Sequence, residues 1–148
     1  MQLRTIMREG FLFAVRKDAT VADATRTMSE KNVGIVVVLS GNRLVGVFSE
    51  RDAVRRVLAK GLDPTSTPID QVMTSDVVVA DEGDDSHAAM RRMDAAHIRH
   101  LPVCRGTQVV SMLSIRDLLR VGLSRGGGRP PGQPAPPYTV PSDLARPR

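Results

Sequence analysis

Gly46-Val47-Phe48-Ser49-Glu50-Arg51-Asp52 and Ser111-Met112-Leu113-Ser114-Ile115-Arg116-Asp117 are one pattern written twice, 65 residues apart. Each runs from apolar residues into a serine, with an aspartate three residues on. Ser-x-x-Asp at the start of a helix is close to a capping box, in which the hydroxyl accepts from an orphan amide and the acid reaches back. The repetition extends outward from these heptapeptides. Ala24, Arg26 and Met28 fall on Ala89, Arg91 and Met93, and Val38, Gly41 and Val45 fall on Val103, Gly106 and Val110. In all, 11 of 39 ungapped pairs are identical between residues 20–58 and 85–123. Upstream, Ile6-Met7 resembles Val72-Met73 at an offset of 66, one residue more. Residues 1–62 and 63–123 therefore read as two copies of one unit.

Both copies have the same internal order. Phe11–Val15 and Val77–Ala80 are short apolar runs of the length of buried strands. Polar turns follow at Arg16–Thr20 and Asp81–Asp85. Val21, Ala24 and Met28, and then Ala89, Met93 and Ala96, recur at helical spacing. Val33–Leu39 and Ile98–Cys104 predict strands, joined by Ser40-Gly41-Asn42 and Arg105-Gly106-Thr107 turns to return strands at Leu44–Phe48 and Val109–Leu113. Ser49 and Ser114 open second helices, with Val54, Val57 and Leu58 on one face and Ile115, Leu118 and Leu119 on the other copy's face. The expected class is α/β: two β-α-β-β-α repeats packed as a pseudo-two-fold pair.

Residues 124–148 are different. They hold seven of the ten prolines and four of the twelve glycines. Such a stretch buries too little apolar surface to offset its ordering entropy, so the tail is expected to be disordered with polyproline-II character. It also carries much of the charge. The chain is +5 overall, but residues 1–123 hold 17 basic and 15 acidic residues, only +2. A near-neutral body, in a chain with four aromatic residues in all and no Trp, is a poor nucleic-acid binder or base-stacking platform. The longest apolar runs fall far short of a membrane span. Cys104 is the only cysteine, which excludes an intramolecular disulfide and fits a cytoplasmic setting.

The heptapeptide resembles the signature closing a cystathionine-β-synthase (CBS) domain: glycine, two apolar residues, Ser or Thr, two variable residues and Asp. The second copy keeps it with Ser111 in place of the glycine. Ile98-Arg99-His100-Leu101-Pro102-Val103 looks like that family's central strand, and Val72-Met73-Thr74-Ser75-Asp76-Val77-Val78-Val79 looks like its opening. The resemblance spans about residues 1–123 and implies a tandem CBS pair, or Bateman module. It further implies a regulatory, non-catalytic module that requires no cofactor and forms homodimers or works on a regulated protein partner. The implied ligands are AMP, ADP or ATP, with S-adenosylmethionine and NAD forms also found, in two pseudo-symmetric clefts. By the same resemblance, Ser49, Arg51 and Asp52 would face Val77, Val78, Ile98, Arg99 and His100. Ser114, Arg116 and Asp117 would face Phe11, Val33, Gly34 and Ile35.

The residue types suit that chemistry. An ionised Asp is acceptor-only and can take both hydroxyl protons of a ribose cis-diol. Arg51 and Arg116 offer a planar fork to phosphate, although a solvated helix-face arginine is the other reading. A pure capping role for Ser49–Asp52 and Ser114–Asp117 also stands open, as does a structural or dimerisation module with empty clefts. No Ser/Cys–His nucleophile pairing or P-loop is visible. His87, His97 and His100 do not form a coherent metal set, and Asp81-Glu82-Gly83-Asp84-Asp85 lacks the spacing of a calcium loop. Cys104, within an expected buried strand, reads as a small apolar filler.

Overall fold

The computed structural model describes residues 1–121 and 138–145. The described residues form a mixed α/β structure with two three-stranded sheets. The first sheet has the order β1 (Ala14–Arg16), β2 (Ile35–Ser40), β3 (Arg43–Ser49), with α1 (Val21–Lys31) between β1 and β2. After β3 comes α2 (Glu50–Asp52), which continues as a π-helical segment, Ala53–Leu58. The second sheet is β4 (Ala80–Asp81), β5 (His100–Arg105), β6 (Gln108–Ser114), with α3 (Ser86–Ala96) before β5 and α4 (Ile115–Arg120) after β6. In both sheets the first two strands are parallel and the last two antiparallel.

The expected β-α-β-β-α order is present twice, and the local devices that produce it fall at equivalent positions. Asn32 and His97 end α1 and α3 in the left-handed conformation, both at φ 54°. The Val33 and Ile98 amides then donate back to the Met28 and Met93 carbonyls, the bond that closes a Schellman-type helix end. Gly41 and Gly106 take φ of 63° and 61° in the two hairpin turns, where a side chain would be strained. The antiparallel register shifts at Val38/Leu39 in one sheet and at Val103/Cys104 in the other.

The first strands are shorter than expected and displaced. Phe11–Val15 was the expected run, but β1 is Ala14–Arg16, and the second copy pairs only Ala80–Asp81 instead of Val77–Ala80. The first copy shows why. Phe11 gives its carbonyl to the Met112 amide, and pairing with β2 begins after Phe13 accepts from the Val37 amide.

The packing units are not contiguous halves of the chain. One unit comprises Met1–Phe11 and Val78–Tyr138, and the other Leu12–Val77 and Thr139–Arg148. The core of the β1–β3 unit gathers Val15, Ala24, Met28, Val36, Val38, Phe48, Val57 and Ile69. The core of the β4–β6 unit gathers Leu3, Ala80, Ala89, Met93, Leu101, Val103, Leu113 and Leu118. Leu3 and Ile69 hold equivalent places, but each precedes the other repeat in the chain. The lead-in segments are thus exchanged. Their hydrogen bonds match one for one: the Ile69 and Asp70 amides donate to the Ala19 and Lys17 carbonyls, and the Leu3 and Arg4 amides to the Asp84 and Glu82 carbonyls.

Each lead-in also covers the outer edge of a third strand. Thr74 and Val47 exchange amide-to-carbonyl bonds at 2.9 Å. In the other unit the Gly10 amide donates to Val110 and the Met112 amide to Phe11. Gly46 is required for this approach, because a Cβ there would lie 2.9 Å from the Thr74 carbonyl oxygen and 2.5 Å from the Met73 sulfur. Its counterpart, fully buried Ser111, donates its hydroxyl to the Arg8 carbonyl at 2.7 Å. The departure of the second heptapeptide from the glycine pattern therefore has a structural use.

Two expectations need correction. Of the second-helix face expected from Val54, Val57 and Leu58, only Val57 is buried, with Val54 56% and Leu58 65% exposed. The π-helical bonds, such as the Ala59 amide to the Val54 carbonyl at 2.8 Å, depart from 3.6-residue geometry, so helical spacing misjudges the face. The tail expected to be disordered over 124–148 is also, in part, docked. Tyr138–Ala145 is described, Thr139 bridges Arg43 antiparallel, and Val140 is completely buried. The remainder of that stretch lies outside the described residues.

Gly46→Ala should destabilise the chain by about 1–3 kcal/mol, the usual penalty for forcing a methyl into a packed contact. A lowered urea midpoint with an unchanged slope would register it. Acid should also weaken the fold through the α1 cap. The Thr20 amide and hydroxyl hold the Asp23 carboxyl below its ordinary 3.8. The unfolded chain then takes up its proton first, so the stability contributed above about pH 4 is lost as pH falls through the folded value. Asp23→Asn should flatten that part of the stability profile, measured by urea titration at stepped pH.

Candidate functional site

The Ser-x-x-Asp motifs both form complete capping boxes. Ser49 accepts the Asp52 amide on its Oγ at 3.2 Å, and Asp52 Oδ2 accepts the Ser49 amide at 3.0 Å. Ser114 accepts the Asp117 amide at 3.3 Å, and Asp117 Oδ2 takes both the Ser114 amide and hydroxyl, at 2.8 and 2.7 Å. The capping reading is therefore correct as structure. It does not use up both carboxylates.

Strand pairing fixes what stands beside each box. Ser49 is partnered by Ile35, and the Glu50 amide donates to the Gly34 carbonyl at 3.0 Å. Equivalently, Ser114 is partnered by His100, and the Ile115 amide donates to the Arg99 carbonyl at 2.8 Å. The start of the middle strand is thereby clamped against the mouth of the second helix in both units. Ser49, Arg51, Asp52, Val33, Gly34, Ile35 and Val77 belong to the β1–β3 unit. Phe11, Val78, Ile98, Arg99, His100, Ser114, Arg116 and Asp117 belong to the β4–β6 unit.

The two boxes differ in how far their acids are engaged. Asp52 is 9% exposed, and the Thr74 hydroxyl donates to both of its oxygens at 3.3 and 3.4 Å. Arg56 Nε stands 3.6 Å from its Oδ1 and also donates, through a terminal nitrogen, to the Met73 carbonyl at 2.8 Å. Asp117 is half-buried, and its described hydrogen bonds all fall on Oδ2. Residue order alone does not single out Thr74 and Arg56. Thr74 lies in the quoted lead-in and Arg56 is four residues beyond Asp52, but only the exchanged lead-in brings them together.

Arg51 and Arg116 are exposed in the first turns of their helices. Cations are disfavoured by the dipole there, and an anion would be welcome. The mouths can thus offer acceptor oxygen, hydroxyl and guanidinium within two helical turns. Elsewhere, His97 serves as the α3 terminus, and Cys104 is buried, its thiol pushed up to about 12 by burial and secondarily by Asp81. Among the described residues, no three His, Cys, Asp or Glu side chains converge as a metal site. No helix of the described residues is long and apolar enough to cross a membrane.

Known proteins share this arrangement. A 17.7 kDa protein of Acidianus ambivalens is 34% identical over 111 residues, 74% of this chain and 66% of that protein. The chain spans 52% or less of the next curated relatives that it matches. Among solved structures, a protein with CBS domains from Burkholderia ambifaria superposes with a TM-score of 0.79 at 27% identity, covering 82% of this chain and 93% of that one. The CBS domain protein PAE2072 from Pyrobaculum aerophilum, complexed with AMP, gives a TM-score of 0.70 at 25% identity, covering 79% and 89%. The CBS domain family profile matches residues 3–59 and again 69–124, so the duplicated sequence and the repeated β-α-β-β-α fold are those of a tandem CBS pair, and the chain belongs to the CBS domain family.

Proposed function

We propose that the chain is a non-catalytic regulatory module that binds an adenosine nucleotide of the AMP, ADP or ATP class. The carboxylates of Asp52 and Asp117 accept from the ribose hydroxyls, Ser49 and Ser114 stand at the same helix mouths, and Arg51 and Arg116 answer the phosphate. The observation that supports this reading is the retention, in both repeats, of an acid and an adjacent arginine at a helix mouth beside the start of the middle strand. Capping alone accounts for the Ser and Asp, and each box also carries an arginine in the first turn of its helix, Arg51 and Arg116. The AMP complex of PAE2072 supplies the ligand class.

The module is proposed to act in the cytoplasm, as a homodimer or bound to a protein that it regulates. Exposed Val54 and Leu58 in the β1–β3 unit, and Leu119, 62% exposed, in the β4–β6 unit, each supply apolar surface for such an association. These exposed side chains also support the second reading, a structural or dimerisation module whose clefts take no ligand.

A thermal-shift panel of AMP, ADP, ATP, S-adenosylmethionine and NAD separates the two. A ligand at 100 times its Kd stabilises the folded state by about 2.7 kcal/mol. An AMP-class nucleotide should raise the Tm, and no shift from any of them at millimolar concentration would leave the structural reading. Asp52→Ala should then weaken the nucleotide about 10- to 150-fold, the worth of a hydrogen bond to a charged group. Calorimetry that finds parental affinity, with stability lowered by about 1 kcal/mol, would assign Asp52 to capping only.

Arg51→Ala should weaken AMP and ATP more than adenosine. Raising the salt should narrow the nucleotide–nucleoside gap in the parent chain, because screening acts on the phosphate contact. Equal losses for adenosine, AMP and ATP in parallel titrations would remove Arg51 from phosphate recognition.

A further inference from the structure

We propose that Thr139-Val140-Pro141 is an intramolecular clasp and that the Asn42–Arg43 end of the β2–β3 hairpin is its receptor. The inference is independent of nucleotide binding. Between residues 124 and 148 the bulky apolar side chains are only Tyr138, Val140 and Leu144. Val140 is 0% exposed, and its amide donates to the Asn42 carbonyl at 2.6 Å. Beside it, Thr139 forms an antiparallel bridge with Arg43, the first residue of β3. A Pro/Gly-rich stretch has little else with which to gain from docking.

The receptor is an exposed strand edge. β3 ends its sheet, so its outer backbone groups lack a strand partner except where another segment meets them. Thr74 meets β3 at Val47, and Thr139 meets it at Arg43. The two contacts cover opposite ends of one edge, and the recognition mode is strand addition with a side-chain anchor. The addition is short for a chemical reason. Pro141 has no amide to donate, so the ladder cannot continue beyond Val140. The chain turns instead, the Leu144 and Ala145 amides donating to the Pro141 carbonyl at 2.9 and 2.8 Å.

The repeat provides an internal control. The equivalent hairpin end in the other unit reads Thr107-Gln108 in place of Asn42-Arg43. Thr107 and Gln108 are exposed, and no such bridge forms there among the described residues. Its neighbour Arg105 is committed to Glu82 and Glu9, each at 2.9 Å. One hairpin end of the two carries the clasp, which marks a specific site and not a general property of the turn. The occupant is this chain's own segment, which covalent linkage presents as an intramolecular partner.

Amide hydrogen exchange on the full chain, followed by NMR, tests the clasp. The Val140 amide should exchange at least about 100-fold more slowly than in a free chain. Its protection should be unchanged on roughly tenfold dilution, as an intramolecular contact requires. Val140→Asp should return residues 139–145 to free-chain rates while the amides of Val36–Val38 stay protected. Free-chain exchange at Val140 in the parent chain would overturn the clasp, whether or not the variant folds. Protection that falls on dilution would assign the segment to a second copy of the chain and overturn the intramolecular site.

Discussion

Leu3 and Ile69 occupy matching places in two cores, and each arrives there from the stretch preceding the other repeat. Most of the structure depends on that exchange. A three-stranded sheet with two helices has one face to bury and little depth with which to bury it. The borrowed segment adds a fully buried aliphatic side chain, satisfies the carbonyls of the turn before the first helix, and pairs with the outer strand edge. The helix caps participate as well. Thr20 bridges Pro68 while capping α1, and Asp85 bridges Gln2 while capping α3. Folding of one repeat therefore contains part of the other.

Near-identical geometry is reached by different residues where the copies have diverged. At the point where the lead-in crosses the third strand, one copy removes the side chain altogether with Gly46. The other keeps a hydroxyl at Ser111 and uses it to hold the crossing segment. Polar pinning is redistributed in the same way. Arg56 holds the Val72 and Met73 carbonyls in one unit, and Arg92 holds the Val79 carbonyl and Asp84 in the other. Arg92 satisfies a backbone oxygen just ahead of the short β4, and Arg56 satisfies two in the lead-in that crosses β3. Repetition of the fold thus constrains the contact that must be made more tightly than the side chain that makes it.

Much of this was legible in the amino-acid order. The 65-residue offset marks the buried positions, since Ala24, Met28, Val36, Val38 and Phe48 and their partners Ala89, Met93, Leu101, Val103 and Leu113 all lie in cores. The capping boxes were legible because their bonds are local, spanning three residues. What sequence order concealed is long-range. Periodicity locates an apolar face but does not say which sheet an isolated Leu3 or Ile69 will join. The engagement of Asp52 by Thr74 is likewise set by a segment 22 residues away. Composition identified the tail as poor in apolar residues, yet one valine between polar and proline neighbours suffices to dock where an open strand end awaits it.

The exchanged segments also set an order of events during synthesis. Once Val77 has been added, every strand of the β1–β3 sheet and the Ile69 lead-in exist, and its core can close. Leu3 was made long before but has no sheet to join until β4, β5 and β6 have followed. At a synthesis rate of about 5–20 residues per second, the residues from Val77 to the end of α4 take roughly 2–9 s. Through that interval the segment carrying Leu3, Ile6 and Met7 waits on the nascent chain without its sheet, so residues made before the β1–β3 sheet are buried after it.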